Sequence, residues 1–321
     1  MPDVVYDAQI GVDGSSNPIY LRQITQSDFD PHYNFIMGRE SGSPYVALET
    51  ISDVANAAQY ISDAAPEGQL TTVDIETFLT LFTPTGARVA DGSTLVIPYQ
   101  KRASGGTFQS GAHHVVIRGT PAADNAGSII SPAQLIPQSV TAPRAGAVTA
   151  SGAIHYLSGD GLVPPFEALV GQTLPAQAFT AMWGGGPVWI NGTRIARQVG
   201  FSVNFGCQYS EKQHYDGCPY PSDIFLEEIN PVIEIQVEDF DQIASLEGVA
   251  QITQFSAFLR RRVPGGTYIA DATAAHLKFS FANGIIVPQA LRASETKHGN
   301  AALRISGVSL AVTSAAAVAG P

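Results

Sequence analysis

The chain has 321 residues, room for two domains of ordinary size, and only 14% are charged, while Gly (31) and Pro (21) are frequent. A net charge of −11 excludes binding of nucleic acid by phosphate neutralisation; it does not exclude a surface that DNA passes without sticking. Two cysteines are too few for a disulfide scaffold, no apolar run approaches the roughly 18 residues of a membrane span, and no leader-like pattern opens the sequence, so a soluble, unexported chain is expected.

In chain order, strands are expected over 8–17 and 19–25, then a polar, aromatic loop over 27–43. Ser52, Asp53, Val54, Ala57, Ala58 and Ile61 predict a helix at about 52–65. Val73 and Ile75 alternate with Thr72, Asp74 and Glu76 as a short strand, and a helix follows over 77–82, stopped by Pro84. Strands are expected over 94–102 and 112–118, joined at a Gly105-Gly106 tip. A Pro- and Ala-rich connection fills 120–149, a closing strand covers 153–157, and Gly and Pro thicken over 159–177 as a linker.

The second half opens with Val188-Trp189-Ile190 and an Asn191-Gly192 hairpin turn of type I′. Ile195, Val199, Phe201, Val203, Phe205, Cys207 and Tyr209 then alternate with small or polar residues, which predicts one long half-buried strand. A loop over 210–222 leads to a second strand with Ile233, Ile235 and Val237 on one face and Glu234, Gln236 and Glu238 on the other. Asp239 and Gln242 offer a capping box for a short helix carrying Phe240, Ile243, Leu246 and Val249. Strands are expected over 254–263, 275–281 and 301–312, the last bulged near Gly307, and a loose tail over 314–321.

The two halves echo each other. Arg22-Gln23-Ile24 matches Arg197-Gln198-Val199, and Ser41-Gly42-Ser43-Pro44-Tyr45 matches Asp216-Gly217-Cys218-Pro219-Tyr220, both at an offset of 175. Thr72 to Glu76 matches Glu234 to Glu238 at 162, so the first copy carries 13 extra residues. Lys101-Arg102 before Gly105-Gly106 matches Arg261-Arg262 before Gly265-Gly266, and the order is collinear throughout. The reading is mainly β: two tandem, duplicated β-sandwich or barrel domains, 1–168 and 169–321, each with a short flanking helix.

Signatures of catalysis are missing: there is no phosphate loop, dinucleotide fingerprint, zincin helix, nucleophile elbow or twelve-residue calcium loop. His113 and His114 are adjacent in a strand and point to opposite faces, so they do not form a pair. Cys207, His214 and Cys218 lack a fourth ligand and the paired spacing zinc favours. No enzyme activity, cofactor or metal is expected.

Arg197-Gln198-Val199-Gly200-Phe201-Ser202-Val203-Asn204, Asn230-Pro231-Val232-Ile233-Glu234-Ile235, the 243–246 helix and Ala302-Leu303-Arg304-Ile305-Ser306-Gly307 follow in an order that resembles the tail tube proteins of long-tailed bacteriophages. The match covers 188–312, and the first half matches by resembling the second. The resemblance implies a virion protein made in the bacterial cytoplasm. Three chains would form a pseudo-hexameric ring, or six a homohexamer, and rings would stack into a hollow tube that DNA crosses. Tape measure, tail terminator and distal tail proteins are the implied partners, with no membrane. Asp74, Glu76, Glu234 and Glu238 are candidate lumen-lining residues, repelling phosphate, or an ordinary solvated sheet face. Lys101, Arg102, Arg260, Arg261 and Arg262 form basic hairpin tips that either dock on the next ring or keep edges apart. Rival readings are a β-rich adhesion or capsid-decoration protein, and an enzyme built on Glu211, His214 and Asp216.

Overall fold

Period-two alternation dominates the chain, and it folds into antiparallel sheets with one α-helix among the described residues. The computed structural model describes residues 6–8, 10–13, 19–37, 59–89, 94–101, 114–119, 133–159, 161, 164–170, 181–213, 219–238, 250–263, 265–294, 297–307 and 309–318. The first half runs β1 (Tyr6–Ala8), β2 (Ile10–Asp13), β3 (Ile19–Leu21), β4 (Ile24–Asp30), β5 (Tyr33–Met37), β6 (Gln59–Ala64), β7 (Glu67–Thr72), α1 (Ile75–Leu81), β8 (Ala87–Arg88), β9 (Thr94–Lys101), β10 (His114–Gly119), β11 (Ala133–Pro143), β12 (Thr149–Tyr156) and β13 (Phe166–Val170). The second runs β14 (Met182–Ile190), β15 (Thr193–Arg194), β16 (Gln198–Asn204), β17 (Cys207–Gln213), β18 (Pro221–Ile229), β19 (Val232–Val237), β20 (Ala250–Ile252), β21 (Phe255–Arg262), β22 (His276–Phe281), β23 (Gly284–Ser294), β24 (Lys297–Gly307) and β25 (Ala311–Ala316).

A ten-stranded sheet in the order β20-β23-β24-β19-β16-β11-β12-β7-β4, with β8 beside β11, spans both halves. It is open: β20 and β4 end it, and no barrel closes. Two smaller sheets, β13-β10-β9-β2-β3 with β1 on β9, and β15-β14-β21-β22-β25, complete the layers, and β5–β6 and β17–β18 form separate two-stranded arms. Alternate residues of the large sheet, among them Val140, Ile154, Val203, Ile233, Ile235, Leu303 and Ile305, are buried in one apolar cluster with Leu95, Ile97, Val188, Leu259, Leu277 and Phe279 of the small sheets. α1 adds Phe78, which stacks on Phe82 just past the helix end with ring centroids 4.5 Å apart.

Strand pairing recurs between the halves. Ile24 faces Thr72, a shift follows, and Gln26 faces Thr71; Gln198 faces Val237, a shift follows, and Gly200 faces Gln236. Pro137 opposite Gly152 and Pro288 opposite Leu303 each precede a shift in the β11–β12 and β23–β24 ladders. Both arms shift after their second pair. The turn entering each arm is also shared: the Asp30 carboxylate accepts the His32 N–H and the Asn204 side-chain Oδ1 accepts the Gly206 N–H, both at 2.9 Å, with φ of 45° at His32 and 62° at Gly206. The similar registers lie at offsets of 174 for β4 with β16 and 165 for β7 with β19.

Several expected elements differ. The helix expected at about 52–65 is strand β6 over its last residues, 59–64, because Tyr60, Ile61 and Ala64 pair along β5; 38–58 lie outside the described residues, as does the 239–249 helix. The strand expected over 72–76 ends at Thr72, and α1 begins two residues past Asp74's neighbour Val73, at Ile75. The long strand over 193–209 divides at Arg197 and Gly206, whose positive φ turns the chain from one sheet to the next. The loops expected over 27–43 and 210–222 hold strands, as does the 120–149 connection, where β11 is the central joint of the large sheet. The bulge expected near Gly307 is a crossing: β24 ends there and β25 joins the other sheet. β25 in turn takes in part of the expected tail.

Candidate functional site

The halves meet along one strand pair. β11 and β16 run antiparallel, with Ser139 opposite Asn204, Thr141 opposite Ser202 and Pro143 opposite Gly200. Each has a counterpart at an edge. β4, the counterpart of β16, pairs with β7 alone among the described residues. β23, the counterpart of β11, pairs with β20 over 284–286, and among the described residues no strand pairs with the stretch of its outer edge that β11 uses against β16. Such paired free edges are templates for a further strand.

One face of the large sheet is polar. In β16, β19 and β24 the buried Phe201, Val203, Ile233, Ile235, Leu303 and Ile305 alternate with Ser202, Asn204, Glu234, Gln236, Arg304 and Ser306. Glu234 stands between Ser202 and Arg304 in register. The face continues through Thr141 to Gln69, Asp28, Glu67 and Asp30. Asp28, Asp30, Glu67 and Glu234 thus share it with Arg304. Asp28 and Asp30 escaped sequence reasoning because 27–43 reads as a loop, where the alternation of Gln26, Asp28 and Asp30 with Ser27 and Phe29 was the available signal; Glu67 escaped because no strand is expected between the 52–65 helix and 72–76.

The second-half arm lies across the joint onto the first half. Arg88 donates to the Asp223 carboxylate and, at 3.3 Å, to the Ile224 carbonyl. His155 Nδ1 lies 3.1 Å from Glu211 Oε1. The Tyr209 hydroxyl donates to the Thr85 carbonyl at 2.5 Å and the Cys207 thiol to that of Pro84 at 3.3 Å; burial raises the pKa of both groups. Gly86, at φ 75°, makes room: a Cβ there would lie 2.0 Å from the Tyr209 oxygen. Backbone bonds from Ala64 to Pro219 and from Ser158 to Pro221, each 2.8 Å, hold the arm's base.

Of the residues expected to line a pore, Glu234 is exposed on the polar face. Glu238 follows β19 and is paired with Arg144. Asp74 is not on a strand: it is 1% exposed before α1, accepts the Arg22 N–H at 3.3 Å, and has its pKa raised by burial against the pull of that amide. Glu76 sits exposed in the first turn of α1, where the helix dipole favours a carboxylate. The structure therefore does not bring these four together.

At the basic tip, Arg260 pairs with Asp271, and Arg262 donates to the Tyr268 hydroxyl at 2.6 Å. Both guanidinium groups lie over the Tyr268 ring, at 5.7 and 4.7 Å. The Arg261 N–H donates to His276 Nδ1 at 3.2 Å, so Nε2 carries the proton given to the Ala270 carbonyl at 3.1 Å. Two of the three arginines thus order their own loop. Lys101 ends β9 opposite Tyr6; Arg102, His113, His214, Asp216 and Cys218 lie outside the described residues. Among the described residues no group of three His, Cys, Asp or Glu is placed to hold a metal, and no helix is long and apolar enough to cross a membrane. No protein-family model and no curated protein matches the chain.

Proposed function

We propose that the chain is a structural protein of a phage tail tube, built from two copies of one β unit and closing with two further chains into a ring. The observation that carries this reading is the β11–β16 joint, together with the free edges of their counterparts β23 and β4. A head-to-tail repeat of that joint closes at a fixed number and removes both edges. In such a ring the polar face bearing Asp28, Asp30, Glu67 and Glu234 lines the lumen and repels DNA phosphates. Exposed Arg194 and Arg197 at one end, with exposed Asp30 and Glu228 at the other, suit axial stacking into a virion tube. Tape measure, terminator and distal tail proteins then follow as partners.

Carrying the joint's register to the edges sets position 292 opposite position 28, as Thr141 stands opposite Ser202. Arg292 and Asp28 are oppositely charged. Negative-stain microscopy and mass measurement of the purified chain should show stacked three-chain rings. D28R and R292D should each abolish them, and the double variant should restore them. A monomer at every concentration, or normal rings from both single variants, would overturn the proposal.

A further inference from the structure

We infer that the first-half arm, β5–β6, seats on the second half of a neighbouring chain, in an open site that mirrors the one the second-half arm occupies. This rests on the ring reading. The starting observation is a difference between matching places. On the first half, Arg88, Gln134 and His155 lie beneath the β17–β18 arm. By register their counterparts on the second half are Gln251, Ile285 and Ser306. There the same place is an open cavity of about 600 Å³, lined by these three with Ile252 and Gly307. Ile285 is 46% exposed at its wall.

The arms differ in the matching sense. β5–β6 repeats the pairing of β17–β18 pair by pair, including the shift, so Phe35 stands at the position of Tyr209 and Met37 at that of Glu211. Within the chain a carboxylate meets a histidine, and a tyrosine is received beside Gln134. Across chains a methionine would meet Ser306 and a phenylalanine Ile285. At the tyrosine's place both sides become apolar, phenylalanine against isoleucine, and at the carboxylate's place the ion pair is replaced by an uncharged methionine and serine.

That exchange makes the first-half seat select its own arm. Placing Phe35 and Met37 on the first-half seat would strip His155 and Arg88 of partners. Wrong pairing is thus penalised at the first-half seat. A chain's own first-half arm is not the occupant, because β4, which leads into it, stands at the opposite end of the large sheet from β23. Seven strand spacings of about 4.8 Å put them roughly 35 Å apart.

Cross-linking tests the seat. In the full chain with Cys207→Ser and Cys218→Ser, Met37→Cys and Ser306→Cys are introduced together, and rings are oxidised after assembly. Covalent closed trimers on a denaturing gel are expected. Rings that assemble without cross-linking, or cross-links confined within single chains, would overturn the inference while leaving the ring intact. Failure of the cysteine-free parent to form rings would overturn the ring reading and this inference with it. Separately, Ile285→Glu changes an exposed side chain, so its thermal melt should match the parent while the concentration needed for rings rises roughly tenfold. Unchanged ring formation would count against the seat.

Discussion

The two halves share a backbone plan and differ in where they put charge. At the joint within the chain, Thr141 faces Ser202, both uncharged; at the proposed joint between chains the same register sets Arg292 against Asp28. At the arm seat the order is reversed, with ion pairs inside the chain and the uncharged Gln251, Ile285 and Ser306 at the matching place. In the proposed ring, the shared registers would fix geometry while side chains decide which strand meets which. Contacts formed within a chain need little discrimination, because the partner is tethered; contacts between chains need it in both strands and arms.

The largest effect on that comparison is expected at the turn into the arm. Gly206 has φ 62°, and a Cβ there would lie 1.9 Å from the Asn230 carbonyl oxygen. G206A should cost about 3 kcal/mol, measured by urea unfolding, because strain and a backbone clash act together. In the first half the same turn is held by His32 at φ 45°. H32G should instead stabilise by up to about 1 kcal/mol, and a loss would break the equivalence of the two turns.

A milder contrast concerns the arm seat. R88A removes a pair that is half exposed on the arginine side, so a loss of roughly 0.5–1 kcal/mol is expected. Q251A at the matching place should leave the isolated chain's stability unchanged.

The smallest effect lies at Asp74. Its folded pKa is raised, so the native state binds a proton more readily than the unfolded chain between the ordinary value of 3.8 and the raised one. Stability should therefore fall as pH rises through that window and then level off. D74N should lose this slope, and a slope retained in denaturation titrations would show that another group causes it.

Much of the strand content was legible because alternation writes it directly, as in Ile233, Ile235 and Val237. The similar ladders of the halves lie near the echo of Arg22-Gln23-Ile24 in Arg197-Gln198-Val199, at offsets of 174 and 165 where the sequence echo has 175 and 162. Local pattern could not reveal which edge each strand meets. β11 was hidden by Pro137 and Pro143, residues that argue against a central strand; a register shift after Pro137 accommodates the first, and Pro143 closes the pairing with β16. The acidic residues of the polar face were half legible: Glu234 follows from alternation, whereas Asp74 reads as part of a strand although the chain there turns into a helix. The arm strands were missed because each is short and shifts register midway.

The joint at β11 also has a history in time. Its partner β16 begins 55 residues after β11 ends, which at 5–20 residues per second is roughly 3–11 s of synthesis. During that interval the newly made first half presents both β4 and the β11 edge to its surroundings. Any finished chain nearby offers strands of the right register for either. Neighbouring nascent chains on one message can therefore exchange second halves, producing swapped assemblies with every native pairing intact, and slow translation before residue 198 should raise their yield.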